Sequence, residues 1–207
     1  FALEGSIMAQ GLLLGLGIPL WAGYLLSTFM VIPLVIYGMK ALSKLQVWTT
    51  PVWLILMIGP VAYLINKEPN LVGQFAQFTG HDGFAPMDMA AIMLGAGVCL
   101  SLIMQIGEQI DYLRFMPAKT KDNSKQWWAA VISAGPGWVV LGALKQIIGA
   151  FLGFYLLTKL PGVNATEPVQ QFNAAFHDML PGWLALALAV ILVVISQIKI
   201  NVTNAYS

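Results

Sequence analysis

The chain has 207 residues, of which 58% are hydrophobic and 9% are charged, with a mean hydropathy of +0.78. A soluble domain carries about 25% charged residues, so a soluble globular fold is excluded, and 7 Trp, 10 Phe and 6 Tyr exclude disorder. One cysteine, Cys99, excludes a disulfide scaffold, and a net charge of +1 offers no basic excess for a nucleic-acid backbone.

The chain opens on Phe1 inside an apolar run with no charged leader and no small-residue cleavage site, so it does not read as a signal peptide. It reads as a fragment of a larger membrane protein. A spanning helix needs about 20 apolar residues to cross about 30 Å of hydrocarbon. Six segments qualify: 1–18, 20–39, 47–65, 89–110, 128–157 and 181–204. The connections between them are short: Pro19, Lys40 to Lys44, Pro69 to Pro86, Pro117 to Asn123 and Pro161 to Pro181. The expectation is a single transmembrane domain over 1–207, all-α, with no soluble module.

Short cytoplasmic loops carry the excess Lys and Arg. The connections after spans two and four hold Lys40, Lys44, Arg114, Lys119, Lys121 and Lys125, whereas those after three and five hold only Lys67 and Lys159 beside Glu68, Asp82, Asp88, Glu167 and Asp178. Spans one, three and five are therefore expected to run outward, and two, four and six inward.

Ionisable residues at membrane depth cost a few kcal/mol and usually face a bundle interior or a wet cavity. Glu4, Glu108, Lys145 and Lys199 fall inside spans, with Asp111 near the inner end of span four; Lys145 is the one most readily read as structural. Gly95 and Gly97, before Cys99, Ser101 and Gln105, fit either a broken helix or close helix packing. Gly11 and Gly15, and Gly149 and Gly153, have the spacing of packing glycines.

In span six, Gln197, Asn201 and Asn204 recur at helical spacing, as do Ser196, Lys199 and Thr203, and the two stripes read as one wet side. The alternative is that the helix simply emerges into water near residue 200. Amides in hydrocarbon require interhelical hydrogen bonds, a ligand or an ion. Glu4 would carry a proton if isolated and stay ionised beside a cation such as Lys199. His81 and His177 show no metal-site pattern, the sequons at Asn164 and Asn201 do not bear on function, and no hydrolase triad or P-loop is visible. An enzyme is not expected.

Three segments resemble the nucleobase:cation symporters, in the purine and cytosine permease branch. Gly107-Glu108-Gln109-Ile110-Asp111-Tyr112-Leu113-Arg114-Phe115 resembles the inner end of that family's sixth helix. Gln197 to Ser207, with its Gln, Asn and Asn-x-Tyr-Ser, resembles the eighth, and Phe1-Ala2-Leu3-Glu4-Gly5 the third. The resemblance implies helices three to eight of about twelve, in a leucine-transporter-type inverted-repeat bundle in the plasma (bacterial inner) membrane. It also implies uptake of a nucleobase or similar planar heterocycle with Na+ or H+ and no cofactor. Carried over by position, Glu4, Ser101, Leu102, Gln197 and Asn201 would meet the base, and Ser196, Lys199 and Glu4 would serve the cation. Glu4 stands where the family has Gln, Leu102 where it has Trp, Ile195 replaces a sodium-binding hydroxyl, and Lys199 replaces a common Thr. The second reading is a permease-like sensor, its bundle fused outside the fragment to a signalling module.

Overall fold

The computed structural model describes residues 2–79, 89–102 and 113–205. Among them every regular element is a helix: α1 (Ala2–Leu16), α2 (Leu20–Ile36), α3 (Met39–Lys67), α4 (Leu71–Ala76), α5 (Met89–Leu102), α6 (Ser124–Ala134), α7 (Pro136–Lys159), α8 (Pro168–His177) and α9 (Gly182–Asn204). The all-α membrane expectation stands. Three stretches are long and apolar enough to cross a membrane, 39–67, 124–159 and 182–204, and α1 with α2 forms a fourth candidate bent by 118°.

Local chemistry explains the boundaries. At the end of α1, Gly17 takes a left-handed φ of 68° and its N–H returns to the Leu13 carbonyl at 3.0 Å, which closes the helix. Pro19 then stands extended as the N-cap of α2, and the corner between the two helices is complete in three residues. At the other end of α2, Gly38 at φ 78° turns the chain directly into α3.

Two expected boundaries move. Lys40 to Lys44, expected as a connection, lie inside α3, because Lys, Leu and Ala are strong helix formers and no breaker occurs between Gly38 and Pro51. At 29 residues α3 is about 44 Å long, so its lysine-bearing ends outrun about 30 Å of hydrocarbon. The segment 128–157 starts earlier, at Ser124, and breaks between Gly135 and Pro136, where proline has no N–H to continue the ladder. Two connections also carry short helices. In α8, Pro168 occupies the first turn, while Val169, Ala175 and Phe176 form the buried side.

The chain divides into two compact units, residues 1–78 with 148–206, and residues 79–147. In the first, α9 is the central helix and touches α1, α2, α3 and α8. Three apolar clusters succeed one another along it. Val31, Leu42 and Val202 pack near its C-terminus; Leu56, Val169, Phe176, Ala185, Ala189, Leu192 and Val193 pack at its N-terminal half. A third joins α3, α4, α7 and α8 through Val61, Leu64, Leu71, Phe151 to Leu156, Ala174 and Ala175. Above that cluster, Lys67 pairs with both carboxylate oxygens of Asp178 at 2.7 and 2.8 Å, and Lys159 with Glu68 at 2.7 Å. The only two lysines expected in outer connections are thus each held by a carboxylate.

In the second unit, α5 runs unbroken through Gly95 and Gly97, so those glycines do not interrupt the helix. Asn123 accepts from the Thr120 N–H and donates to the Ala118 carbonyl, and Trp127 Nε1 donates to the Pro117 carbonyl, ordering the basic connection. Lys119 stacks over Trp128 at 4.8 Å, a cation-π contact that holds its charge at the turn.

The helices of the first unit meet through glycines. A Cβ on Gly11 would lie 3.4 Å from Val193 Cγ1, one on Gly15 2.5 Å from Val190 Cγ2, and one on Gly23 2.9 Å from Ala9 Cβ and 3.0 Å from its Cα. Lipid tails compete equally for apolar side chains, so close backbone approach is what holds such helices together. Gly59, by contrast, has nothing within 4 Å. Gly23→Ala is expected to lower stability by about 1–3 kcal/mol by forcing α1 and α2 apart, and Gly59→Ala to leave it equal or up to about 1 kcal/mol higher. Thermal unfolding of both variants in lipid nanodiscs checks this; equal midpoints would reject the tight α1–α2 crossing.

Candidate functional site

The polar residues of α9 lie toward its C-terminal end, where the helix is enclosed by α1, α2 and α3. Gln197 is 8% exposed and Asn201 4% exposed, one helical turn apart. Both were singled out by their spacing, and both side chains are enclosed rather than emerging into water. Gln197 Oε1 is buried and accepts no hydrogen bond among the described residues. A buried acceptor left in that state costs about 1–3 kcal/mol, which a donor supplied from outside the chain would recover.

Asn201 forms part of the wall of a cavity of about 790 Å³ between α1, α2 and the end of α9. Its other walls are Ala2 and Gly5 of α1, Tyr24, Ser27, Thr28, Val31, Ile32, Val35 and Ile36 of α2, and Ala205. The hydroxyls are oriented by their own helix: Ser27 donates to the Gly23 carbonyl at 2.7 Å and Thr28 to the Tyr24 carbonyl at 3.0 Å. Their remaining lone pairs can only accept. Tyr24 donates across to Ser6 at 3.3 Å and so ties α2 to α1 at the cavity. The result is an open, mostly apolar cavity with hydroxyl acceptors and one amide in its wall.

The second polar stripe faces elsewhere. Lys199 Nζ donates to Thr50 Oγ1 of α3 at 2.8 Å and lies 5.2 Å from the centre of the Trp53 ring. Thr50 in turn donates to the Gln46 carbonyl, so ammonium, hydroxyl and backbone form a chain into α3. Thr203 donates to the Lys199 carbonyl. The expectation of one wet side is corrected here: at about 100° per residue, Lys199 and Asn201 are separated by about 200° around the helix, so one meets α3 and the other α1 and α2.

Glu4 is half-buried on α1, between the cavity residues Ala2 and Gly5, and does not itself line the chamber; neither do Gln197, Ser196 and Lys199. Ser196 is half-buried on α9, with Ile195 before it. Ser101 and Leu102 close α5 by their backbone, in the other unit, and their side chains lie outside the described residues. Glu108, Asp111 and His81 also lie outside them. Lys145 is half-buried within α7. The sequence reading missed Thr50, Trp53, Tyr24 and Ser27, since lone hydroxyls and aromatics in apolar helices carry no pattern of their own.

Two substitutions separate structural from ligand-facing polarity. Thr50→Val removes the acceptor of Lys199 without changing shape and is expected to destabilise by about 1–3 kcal/mol. Gln197→Leu removes a buried acceptor that lacks a donor and is expected to be neutral or stabilising in the absence of ligand. Denaturation midpoints of the two variants read this directly, and a strong loss in Gln197→Leu would mean that the amide is a structural strut.

Comparison with known proteins agrees with the resemblance. The family model described as a permease for cytosine/purines, uracil, thiamine and allantoin matches residues 3–207. No curated protein and no solved structure matches the chain. Since that model covers almost every residue from α1 to the end of α9, the chain belongs to the family of permeases for cytosine/purines, uracil, thiamine and allantoin.

Proposed function

We propose that this protein imports a nucleobase or similar planar heterocycle across the plasma (bacterial inner) membrane in symport with Na+ or H+, by alternating access. Family membership already gives a multi-pass membrane transporter of nucleobase-type substrates. The observation that carries the finer reading is Asn201, a buried amide of α9 that stands in the wall of the 790 Å³ cavity. A base edge that pairs an N–H donor with a carbonyl acceptor satisfies that amide, while the aliphatic side chains of α2 accept its faces.

In this reading Asn201 meets the base, with Gln197 and Glu4 as the neighbouring polar groups of α9 and α1. A helix bundle rocks against the scaffold around the fixed site, as in inverted-repeat transporters of the leucine-transporter type. Coupling falls to Ser196, Lys199 and Glu4. Ile195 supplies no side-chain oxygen for sodium beside Ser196, whereas Lys199 places its amine between α9 and α3. That placement supports an ammonium in place of a bound cation, with Glu4 carrying the proton if H+ is the coupled ion.

Uptake of labelled cytosine, uracil, adenine and hypoxanthine by the whole protein in vesicles, with sodium and proton gradients imposed separately, tests the proposal. Accumulation under one gradient is expected and names the ion; tight binding without accumulation would replace the symporter by a transporter-like sensor. Asn201→Ala is expected to weaken base binding by about ten-fold or more, the equivalent of one lost hydrogen bond of about 1.4 kcal/mol, at unchanged expression. Unchanged affinity would remove Asn201 from the site. Glu4→Gln is expected to abolish the pH dependence of uptake while retaining binding, and an unaltered pH profile would exclude Glu4 as the proton carrier.

A further inference from the structure

The stretch that leads into α6 carries Arg114, Lys119, Lys121 and Lys125 against a single acid, Asp122. All four basic side chains are exposed. Among the described residues no carboxylate pairs with Lys119, Lys121 or Lys125, whereas Lys67 and Lys159 of the first unit are each held by one. Positive charge therefore collects here without an internal counter-ion.

Mutual repulsion would spread such lysines in a free loop, but this one is framed. Asn123 accepts from the Thr120 N–H at 2.7 Å and donates to the Ala118 carbonyl at 3.0 Å, and its own N–H returns to Thr120 Oγ1 at 3.2 Å. Trp127 Nε1 donates to the Pro117 carbonyl at 3.1 Å, which fastens the start of the turn to the first turn of α6. Trp127 and Trp128 pack edge to face at 5.2 Å, and Lys119 Nζ lies 4.8 Å from the centre of the Trp128 ring and 5.7 Å from that of Trp127. An ammonium over an indole face leaves N–H groups on its other side to donate.

Trp128 is 48% exposed, and it stands near the start of the apolar stretch 124–159, with Ile132 57% exposed about one turn further on. Ammonium groups, indoles and aliphatic side chains succeed one another along the chain, in the order of phosphate, interfacial region and acyl chain in a lipid leaflet. Positive charge on a cytoplasmic connection needs no particular arrangement to set topology. The hydrogen-bonded frame and the indole pair are what a headgroup site requires in addition.

We propose that this surface, Lys119, Lys121 and Lys125 with Trp127 and Trp128, binds the phosphate headgroup of an anionic phospholipid of the inner leaflet. Basic residues beside a membrane span gain about five-fold in affinity each from such lipids. A zwitterionic headgroup carries an ammonium of its own, which the lysines repel, so the surface selects net negative charge. The proposal is independent of the base site on α9.

Titration of the whole protein in neutral detergent with fluorescent phosphatidylglycerol and, separately, phosphatidylcholine tests it. Phosphatidylglycerol is expected to bind at least about ten-fold more tightly. Lys119→Gln, Lys121→Gln and Lys125→Gln together are expected to remove that preference; all three positions are exposed, and a monodisperse elution profile checks that the fold is kept. Asn123→Ala unties the frame and Trp128→Leu removes the indole under Lys119, each with every charge retained, and each is expected to cut the preference at least about three-fold. Equal affinity for the two lipids, or a preference undiminished in the triple variant, would overturn the proposal. A preference lost in the triple variant yet intact in both Asn123→Ala and Trp128→Leu would show diffuse charge attraction in place of a site and overturn it as well. Inorganic phosphate at millimolar concentration is expected to leave the lipid bound, and displacement would reassign the surface to a soluble anion.

Discussion

Close backbone approach between α1 and its two neighbours is the constraint on which the rest of the first unit depends. Gly23 lies against Ala9, and Gly11 and Gly15 lie against Val193 and Val190, so α1 is wedged between α2 and α9 with no side chain to spare. In lipid, where apolar burial alone does not distinguish a partner helix from an acyl chain, this contact supplies the dispersion energy of association. It also sets what the helices enclose. Where α1 and α2 diverge from the crossing at Gly23, toward Ala2 and Ile36, the space between them and α9 becomes the chamber that holds Asn201.

The polar groups of the interior fall into two kinds that serve different ends. Those of the first kind are closed on themselves: Ser27 and Thr28 donate to their own helix, and Lys199 is engaged by Thr50 and Trp53. Such groups are compatible with a low-dielectric environment and hold helices in register. The second kind is left short of a partner, as at Gln197 Oε1 and Asn173 Oδ1. These two acceptors stand on different helices of one unit, Gln197 on α9 and Asn173 on α8.

Much of this was legible in the residues, because the helix-forming signal in a membrane protein is a length of apolar chain and little else. The stretches that became α3, α7 and α9 announce themselves that way, and Gln197 and Asn201 are visible by spacing. Boundaries were less legible. Charge suggested a loop at Lys40 to Lys44, yet lysine is a good helix former and its long stem reaches water from the end of a helix. Gly135 followed by Pro136 is a break that an average over 20 residues conceals. The two polar stripes of α9 looked adjacent in sequence, but a rotation of about 100° per residue sends Lys199 and Asn201 to different neighbours. Thr50 was beyond reach, since its role depends on a residue far along the chain.

That distance has a consequence for the order in which the protein is made. Lys199 and Thr50 are 149 residues apart. At about 5–20 residues per second of synthesis, α3 waits roughly 7–30 s for α9 to emerge. During that interval the Thr50 hydroxyl is not left bare, because it already donates to the Gln46 carbonyl within α3. The nascent helix therefore carries a partner for that hydroxyl from the start and keeps it, and the lysine, arriving last, finds an acceptor that has been held in place since the helix first formed.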